Sequence, residues 1–329
     1  MYEAELEVAT SAVRQACRIC RDVRRAMVNE DTVTKKDRSP VTVADLSAQA
    51  VMSHILHGQF PDDPLMAEED TTMLRDPGSE ELRVRVLAHV QGRVPELTDE
   101  TSLAAIDRGS YCGGPEGRFW TMDPVDGTKG YIRGDQYAVA LALIVDGQVV
   151  LGVMGCPHLP ARYVEHDVER GLLFCAVRGS GTNMQWLEDD GDAPITVSSV
   201  TDPAGAVICQ SFESAHTSHT RADRIAERLG IQTESLRLDS QCKYGLVARG
   251  EGTIYMRLPS SRDYEEKIWD HAAGWIIVKE AGGEVTDVDG KPLDFTHGRT
   301  LKRNRGIIAT NGHIHARVLD AVGAVVAEE

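Results

Sequence analysis

Residues 120–144 read WTMDPVDGTKGYIRGDQYAVALALI. The stretch begins apolar, turns acidic at Asp123 and Asp126, passes through Gly127 and Thr128, and is strongly apolar again from Ala138. Two carboxylates at the end of a strand-like segment admit two readings: an acidic turn, or a seat for something positive. Pro124 fixes φ and stiffens the backbone between them. Hard cations such as Mg²⁺ take oxygen ligands, so Asp123, Asp126 and the carbonyl of Val125 can converge on one or two ions. If a helix starts at Gly127 and Thr128, its first N–H groups offer an anion site for a phosphate. Metal ligands beside a phosphate cradle within six residues form a far more specific signal than a lone glycine motif.

Working outward, Ala138–Val145, the pair Asp146-Gly147 and Gln148–Met154 predict a β-hairpin with a two-residue turn. A further strand is expected at Gly171–Val177. Upstream, residues 3–28 and 43–58 carry helical periodicity. PLMAEED (64–70) reads as a short strand running into acids, and the polar region 70–118 as helices and loops, with SEELRVRVLAHVQ its best helix. The acidic break EDDGDAP (188–194) divides the chain into two expected lobes, 1–190 and 191–329. Beyond it, AVICQS, GTIYMRL and GIIAT alternate with the helical stretches HTRADRIAERLG and HAAGWIIVKEAGG. The expected fold class is therefore α/β, an α+β N-terminal lobe followed by an α/β C-terminal lobe.

With 329 residues the chain can bury a large core. Its formal charge of −16 argues against a nucleic-acid partner, which calls for a basic face. No run of 18 apolar residues suggests a membrane span, and MYEAELEVATSAVRQACRIC has no secretory h-region. Seven cysteines without a framework spacing suit a reducing compartment, so a cytoplasmic location is expected. Cys17 and Cys20 form a C-x-x-C, but they share a helical stripe with Val13 and Val23, which favours core packing over redox or zinc chemistry.

Three further acidic motifs sit near element ends. Asp45, in KKDRSPVTVAD, can equally be an ordinary first-turn helix acid. Glu68, in Glu68-Glu69-Asp70, can be part of a solvated loop, and Asp270, in EKIWDHAAGWIIVKEAGG, a helix N-cap.

Taken together, SPVTVAD, EED, DPVDGT and WDHAAG followed by EAGG resemble the inositol-monophosphatase-like superfamily of Mg²⁺-dependent, lithium-sensitive phosphatases. The resemblance runs over nearly the whole chain. It is closest to the 3′(2′),5′-bisphosphate nucleotidase branch, on DPVDGTKGYIRGDQYAVALALI, GVMGCPHLP, LDSQCKYGLVARG and YEEKIWDHAAG. The 55 positions between Glu68 and Asp123 also exceed what inositol monophosphatases would suggest. The resemblance implies a layered α-β-α-β-α sandwich with the site between the lobes. It implies that Glu68, Asp123, Asp126, Asp270 and the Val125 carbonyl coordinate two or three Mg²⁺ ions, with Glu69 a weaker candidate. Asp45 and Thr128 would orient and activate the attacking water. The implied partner is a small phosphorylated nucleotide, adenosine 3′,5′-bisphosphate, with 3′-phosphoadenylyl sulfate as a second substrate and a link to sulfate assimilation. Inositol phosphates are the alternative substrates, a metal- and nucleotide-binding regulatory module the non-enzymatic alternative, and a monomer the expected state.

In that family the positions of His216, Ser240, Lys243 and Arg257 resemble those contacting the base and the non-scissile 5′-phosphate. The chemistry suits them: Lys243 and Arg257 bring charge to an anion and Ser240 a hydrogen bond, while each alone could be a surface polar residue. His216 and His219 lack the glutamate and spacing of a zinc helix. Thr286–Gly290 lacks the later ligands of a calcium loop and reads as a hairpin turn, RGSGTN (178–183) lacks the full nucleotide fingerprint, and His313 and His315 read as surface or packing residues.

Overall fold

The computed structural model describes residues 1–29, 39–163, 170–212, 219–258 and 264–328. Two long helices come first, α1 (Glu3–Asn29) and α2 (Ser39–Gln59), then the short strand β1 (Leu65–Ala67). The polar region holds α3 (Thr72–Arg75), α4 (Glu80–Gln91) and α5 (Asp99–Asp107). Next come β2 (Arg118–Asp126), α6 (Thr128–Arg133), β3 (Ala138–Val145), β4 (Gln148–Pro160), β5 (Arg170–Val177), β6 (Thr182–Trp186) and β7 (Asp192–Ile195). These strands form one seven-stranded sheet in sequence order, antiparallel except for the parallel β1–β2 edge.

A five-stranded sheet follows. Its elements are β8 (Ile208–Gln210), α7 (His219–Leu229), β9 (Leu236–Arg237), α8 (Cys242–Ala248), β10 (Ile254–Arg257), α9 (Ala272–Glu280), β11 (Glu284–Thr286), β12 (Ile307–Thr310) and α10 (His315–Ala327). The strand order is β11-β12-β10-β8-β9, with β10 parallel to β8 and antiparallel to β12.

The layers run α1 and α2, first sheet, α8 and α9, second sheet, α7 and α10, the α-β-α-β-α order. β3 shows why this chain forms a sandwich. Its side chains alternate between two cores, Val139, Leu141 and Leu143 toward the N-terminal helices, Ala138, Ala140 and Ala142 toward α9. A strand covered on both faces reads as an unbroken apolar run, as this one does. The small residues on the α9 side let the helix come close. At Gly152 of β4 a Cβ would lie 3.0 Å from the Ala273 carbonyl oxygen and 2.5 Å from Ile276 Cγ2.

The hairpin at Asp146-Gly147 forms as predicted, with φ of +48° and +71°. The acidic break at 188–194 belongs to a hairpin, since Asp192–Ile195 still pairs with β6. Its acids are held from α1. Arg18 donates to Glu188 at 2.7 Å, Arg21 to Glu188 at 3.1 Å, and Arg14 to the Asp189 carbonyl at 3.0 Å and to the Asp190 carboxylate. Cys17 and Cys20 are buried in the α1 core, Cys17 against Gly155. Asp287 accepts the N–H groups of Asp289 and Lys291 at 2.9 Å, closing the turn at 286–290. RGSGTN links β5 to β6. His315 is buried between Thr286 and Thr310, bonded to their hydroxyls at 2.9 and 3.0 Å. No helix among the described residues is long and apolar enough to cross a membrane.

Candidate metal and phosphate site

In a regular strand, residues three apart point to opposite faces. Asp123 and Asp126 avoid this because β2 is irregular between them. Asp123 faces Ala140 and Asp126 faces Ala138, so three steps on β2 match two on β3. That extra residue re-aims one side chain, and Pro124, which has no N–H to give a ladder, falls inside it. The Val125 N–H turns inward to the Asp123 carboxylate at 3.1 Å. Beside this, parallel pairing of Ala67 with Met122 carries Glu68 to the flank of Asp123.

Gly127 follows at φ +90° and α6 begins at Thr128. A Cβ on Gly127 would lie 2.7 Å from Ser240 Cβ, so glycine is required by both backbone and space. Ser240 itself has φ +68°, a conformation rare for residues with a side chain. It leads into α8, where the Gln241 N–H donates to Asp126 and the Gln241 amide donates to the Trp269 carbonyl at 3.0 Å. Asp270 ends a 3₁₀ turn, Ile268–Asp270, and His271 occupies the N-cap of α9, so Asp270 does not serve as that cap.

One cavity of about 350 Å³ gathers these groups. Glu68, Asp123, Val125, Asp126, Gly127, Thr128 and Asp270 line it, and so do Ser240, Lys243 and Arg257. Asp45 does not line it. Helix α2 begins at Ser39, so Asp45 lies in the second turn rather than the first, buried, on a helix that packs against α6. Glu69 does not line the cavity either. Its backbone is held by Gln49, which donates to the Glu69 carbonyl at 2.7 Å and accepts its N–H at 3.1 Å. His216 lies outside the described residues.

The electrostatics mark the site more sharply than the geometry. Burial, then the charge of Glu68, holds the Asp123 carboxyl well above the usual range. Glu68 is pushed up to about 8 by burial, then by Asp270 and Glu69. Asp270 is also raised by burial, although Arg257 beside it pulls the other way. Asp45 is raised well above its ordinary value by burial and by Glu69 and Glu68. Buried like charges disfavour one another. This donor set, all oxygen and short of positive charge, fits divalent hard cations.

Lys243 and Arg257 are already engaged. Lys243 is buried, donates to Ser211 Oγ at 3.1 Å and the Leu238 carbonyl at 3.2 Å, and lies 5.2 Å from the Tyr255 ring centre. Arg257 sits 2.8 Å from Glu266 and 3.2 Å from Asp270, and donates to the Tyr264 hydroxyl at 3.1 Å. Neither is an ordinary surface residue. Behind them, Tyr244 OH meets His271 Nδ1 at 2.9 Å and His271 Nε2 meets Glu266 at 3.2 Å. Among the described residues, Glu266, Asp270 and His271 are the one acidic and histidine set whose donor atoms all lie within 4.8 Å. Arg257 fills the charge need of that knot. The motif YEEKIWDHAAG contains Glu266 and His271, yet nothing in its spacing distinguished them from flanking residues. Tyr264, Asp239 and Lys129 also line the cavity without a local signal.

Fold and cavity define a five-layer α/β protein with an acidic cleft assembled from both sheets. The sequence profile of the inositol monophosphatase family matches residues 1–327, and the chain belongs to that family. Among its relatives, the 3′(2′),5′-bisphosphate nucleotidase of Oryza sativa is 42% identical over 344 residues, covering 100% of this chain and 96% of that protein. That of Schizosaccharomyces pombe is 40% identical over 345 residues, covering 100% and 97%. 3′(2′),5′-Bisphosphate nucleotidase 1 of Arabidopsis thaliana is 44% identical over 346 residues, covering 100% and 98%. Among solved structures, an inositol monophosphatase from Anabaena superposes with a TM-score of 0.62 at 22% identity, covering 98% of this chain and 96% of that one. One from Zymomonas mobilis gives 0.64 at 21%, covering 98% and 99%. At those identities the structural likeness speaks for the fold.

Proposed function

We propose that the chain is a Mg²⁺-dependent 3′(2′),5′-bisphosphate nucleotidase that converts adenosine 3′,5′-bisphosphate to AMP and phosphate and also accepts 3′-phosphoadenylyl sulfate. The observation that supports this most is one cavity lined by Glu68, Asp123, Asp126 and Asp270 and, beside them, by Lys243 and Arg257 in a chain of net charge −16. A doubly phosphorylated nucleotide needs both halves of that arrangement. Glu68, Asp123, Asp126, Asp270 and the Val125 carbonyl would hold the metal. Bound Mg²⁺ supplies Lewis-acid polarisation of the phosphate and an acidified water. Thr128, on the cavity wall, and Asp45, on the helix packed against α6, would orient and activate the attacking water, its proton passing by way of the Thr128 hydroxyl to Asp45. The water oxygen ends on phosphorus while the P–O3′ bond breaks, and the 3′ oxygen leaves with a proton from solvent. Lys243, Ser240, His216 and Arg257 bind the remainder of the nucleotide. The same proposal carries a division into two lobes, moved from residue 190 to just after β7, which completes the first sheet, together with a monomeric state and a cytoplasmic location.

Phosphate release with Mg²⁺ tests the reading, comparing adenosine 3′,5′-bisphosphate, inositol 1-phosphate and fructose 1,6-bisphosphate. A preference for the nucleotide of at least about tenfold in kcat/KM is expected. Equal or greater activity on inositol 1-phosphate would replace the nucleotide by an inositol phosphate.

A further inference from the structure

Arg299 lies outside every motif that pointed to the site, and it does not line the cavity. Its guanidinium nonetheless touches the supports of two cavity carboxylates. Nη2 donates to the Ala67 carbonyl at 2.6 Å, and Ala67 immediately precedes Glu68. Nη1 donates to the Tyr111 and Gly109 carbonyls at 3.2 and 3.4 Å, in the segment paired to the outer edge of β1. The planar group lies 4.6 Å from the ring centre of Trp269, which immediately precedes Asp270.

The main chain of this segment is stitched to the Asp270 side as well. The Ile268 N–H donates to the Arg299 carbonyl at 3.2 Å, the Leu301 N–H to the Glu266 carbonyl at 2.8 Å, and Thr300 Oγ1 to Glu265 at 2.7 Å. The approach is built in. Gly298 has φ +83°, and a Cβ there would sit 2.9 Å from the Cys112 carbonyl oxygen.

Glu68 directly follows β1 and Asp270 ends a 3₁₀ turn about 200 residues later in the sequence, and like charges push them apart. A fork with several fixed donors and a stacking face can grip both supports at once, whereas an ammonium has neither the fork nor the plane. We propose that Arg299 is a positioning residue, a clamp that fixes the separation of Glu68 from Asp270 and thereby sets the affinity of the site for divalent metal. The inference rests on the metal assignment proposed above. Partners that orient metal ligands are worth about 10- to 100-fold in affinity or activity.

The test is calorimetric Mg²⁺ binding to the full chain, wild type against Arg299→Lys, with KM and kcat for adenosine 3′,5′-bisphosphate measured beside it. Arg299→Lys is expected to bind Mg²⁺ at least about tenfold more weakly and to need correspondingly more Mg²⁺ for half-maximal turnover. KM for the nucleotide at saturating metal should stay within about twofold. Arg18→Lys, a clamp far from the cavity, controls for lost stability and should leave Mg²⁺ affinity unchanged. Trp269→Leu attacks the same clamp from its other side and should weaken Mg²⁺ binding in the same direction. Unshifted Mg²⁺ affinity in a folded Arg299→Lys overturns the clamp; if that variant does not fold, the same result in Trp269→Leu does. A wild type that binds Mg²⁺ without releasing phosphate, while Arg299→Lys binds it more weakly, overturns the proposed function and leaves the clamp standing. A wild type with no heat of Mg²⁺ binding removes both.

Discussion

Glu188, Asp189 and Asp190 form an acidic turn on the surface, and Glu68, Asp123, Asp126 and Asp270 an acidic group in a cleft; as letters in a sequence the two sets look alike. In the first, arginines arrive from α1. Hydrogen bonding to Arg18 holds the Glu188 carboxyl below its usual range, so Glu188 sits comfortably ionised. In the second, burial and mutual repulsion hold Glu68, Asp123 and Asp270 above theirs, and Arg257, which contacts Asp270, is shared with Glu266. An acidic cluster matched by arginines fastens two elements together. One left short of positive charge inside a fold marks a place for a cation. The folded chain sustains the second arrangement because α1, α2 and the sheets around it are well packed, a local conflict of the kind found at functional sites.

The largest effect should come from neutralising the cleft. Asp123→Asn can keep the bond to the Val125 N–H, yet it removes a charge. Turnover in Mg²⁺ is expected to fall by about a thousandfold, the several kcal/mol that metal polarisation provides, while metal-free thermal stability at pH 8 stays equal or rises. Wild-type turnover in that variant would break the contrast between the two clusters.

The pH dependence of the metal-free protein sharpens it. The cleft acids have folded pKa values raised above the unfolded ones, so their contribution is fully present below about pH 4.5 and is lost as pH rises through the folded value, about 8 for Glu68. Added Mg²⁺ should therefore raise Tm by several degrees more at pH 8.5 than at pH 5.5, read by thermal unfolding in EDTA and in Mg²⁺. Equal shifts at both pH values would separate the carboxylates from the metal.

Lys243→Met tests the cation facing the acids. KM for adenosine 3′,5′-bisphosphate should rise about 10- to 100-fold, the loss of a charged hydrogen bond, with a smaller change in kcat. The smallest effect belongs to the other cluster. Arg18→Ala should lower stability by at most about 1 kcal/mol, roughly 2–4 °C in Tm, leave kcat/KM unchanged, and matter less in high salt. An activity loss exceeding that stability loss would mean the surface turn is not merely a fastening.

Much of this was legible in the sequence, for physical reasons that also explain the rest. β3 announced itself because a strand buried on both faces is apolar throughout, and the turn at Asp146-Gly147 because its backbone demands those residues. The DPVDG segment stood out by its concentration of oxygen ligands. The irregularity between Asp123 and Asp126, which makes those ligands converge, depends on pairing with β3 and leaves no local mark beyond Pro124. The position of Asp45 in the second turn depended on where α2 starts, four residues before the first clear periodicity. Glu266 and Arg299 act through partners brought together by folding, and the arginines that neutralise Glu188 and Asp190 lie about 170 residues away. For the same reason EDDGDAP read as a lobe boundary, although Asp192–Ile195 completes the first sheet.

The difference between the two acidic clusters can be seen directly by growing crystals in Mn²⁺, which accepts the same oxygen ligands, and measuring anomalous scattering. The expected map has its strong peaks among Glu68, Asp123, Asp126 and Asp270, and none at Glu188–Asp190. Peaks confined to the surface turn, or an empty cleft at saturating Mn²⁺, would contradict the assignment of that cleft as the metal site.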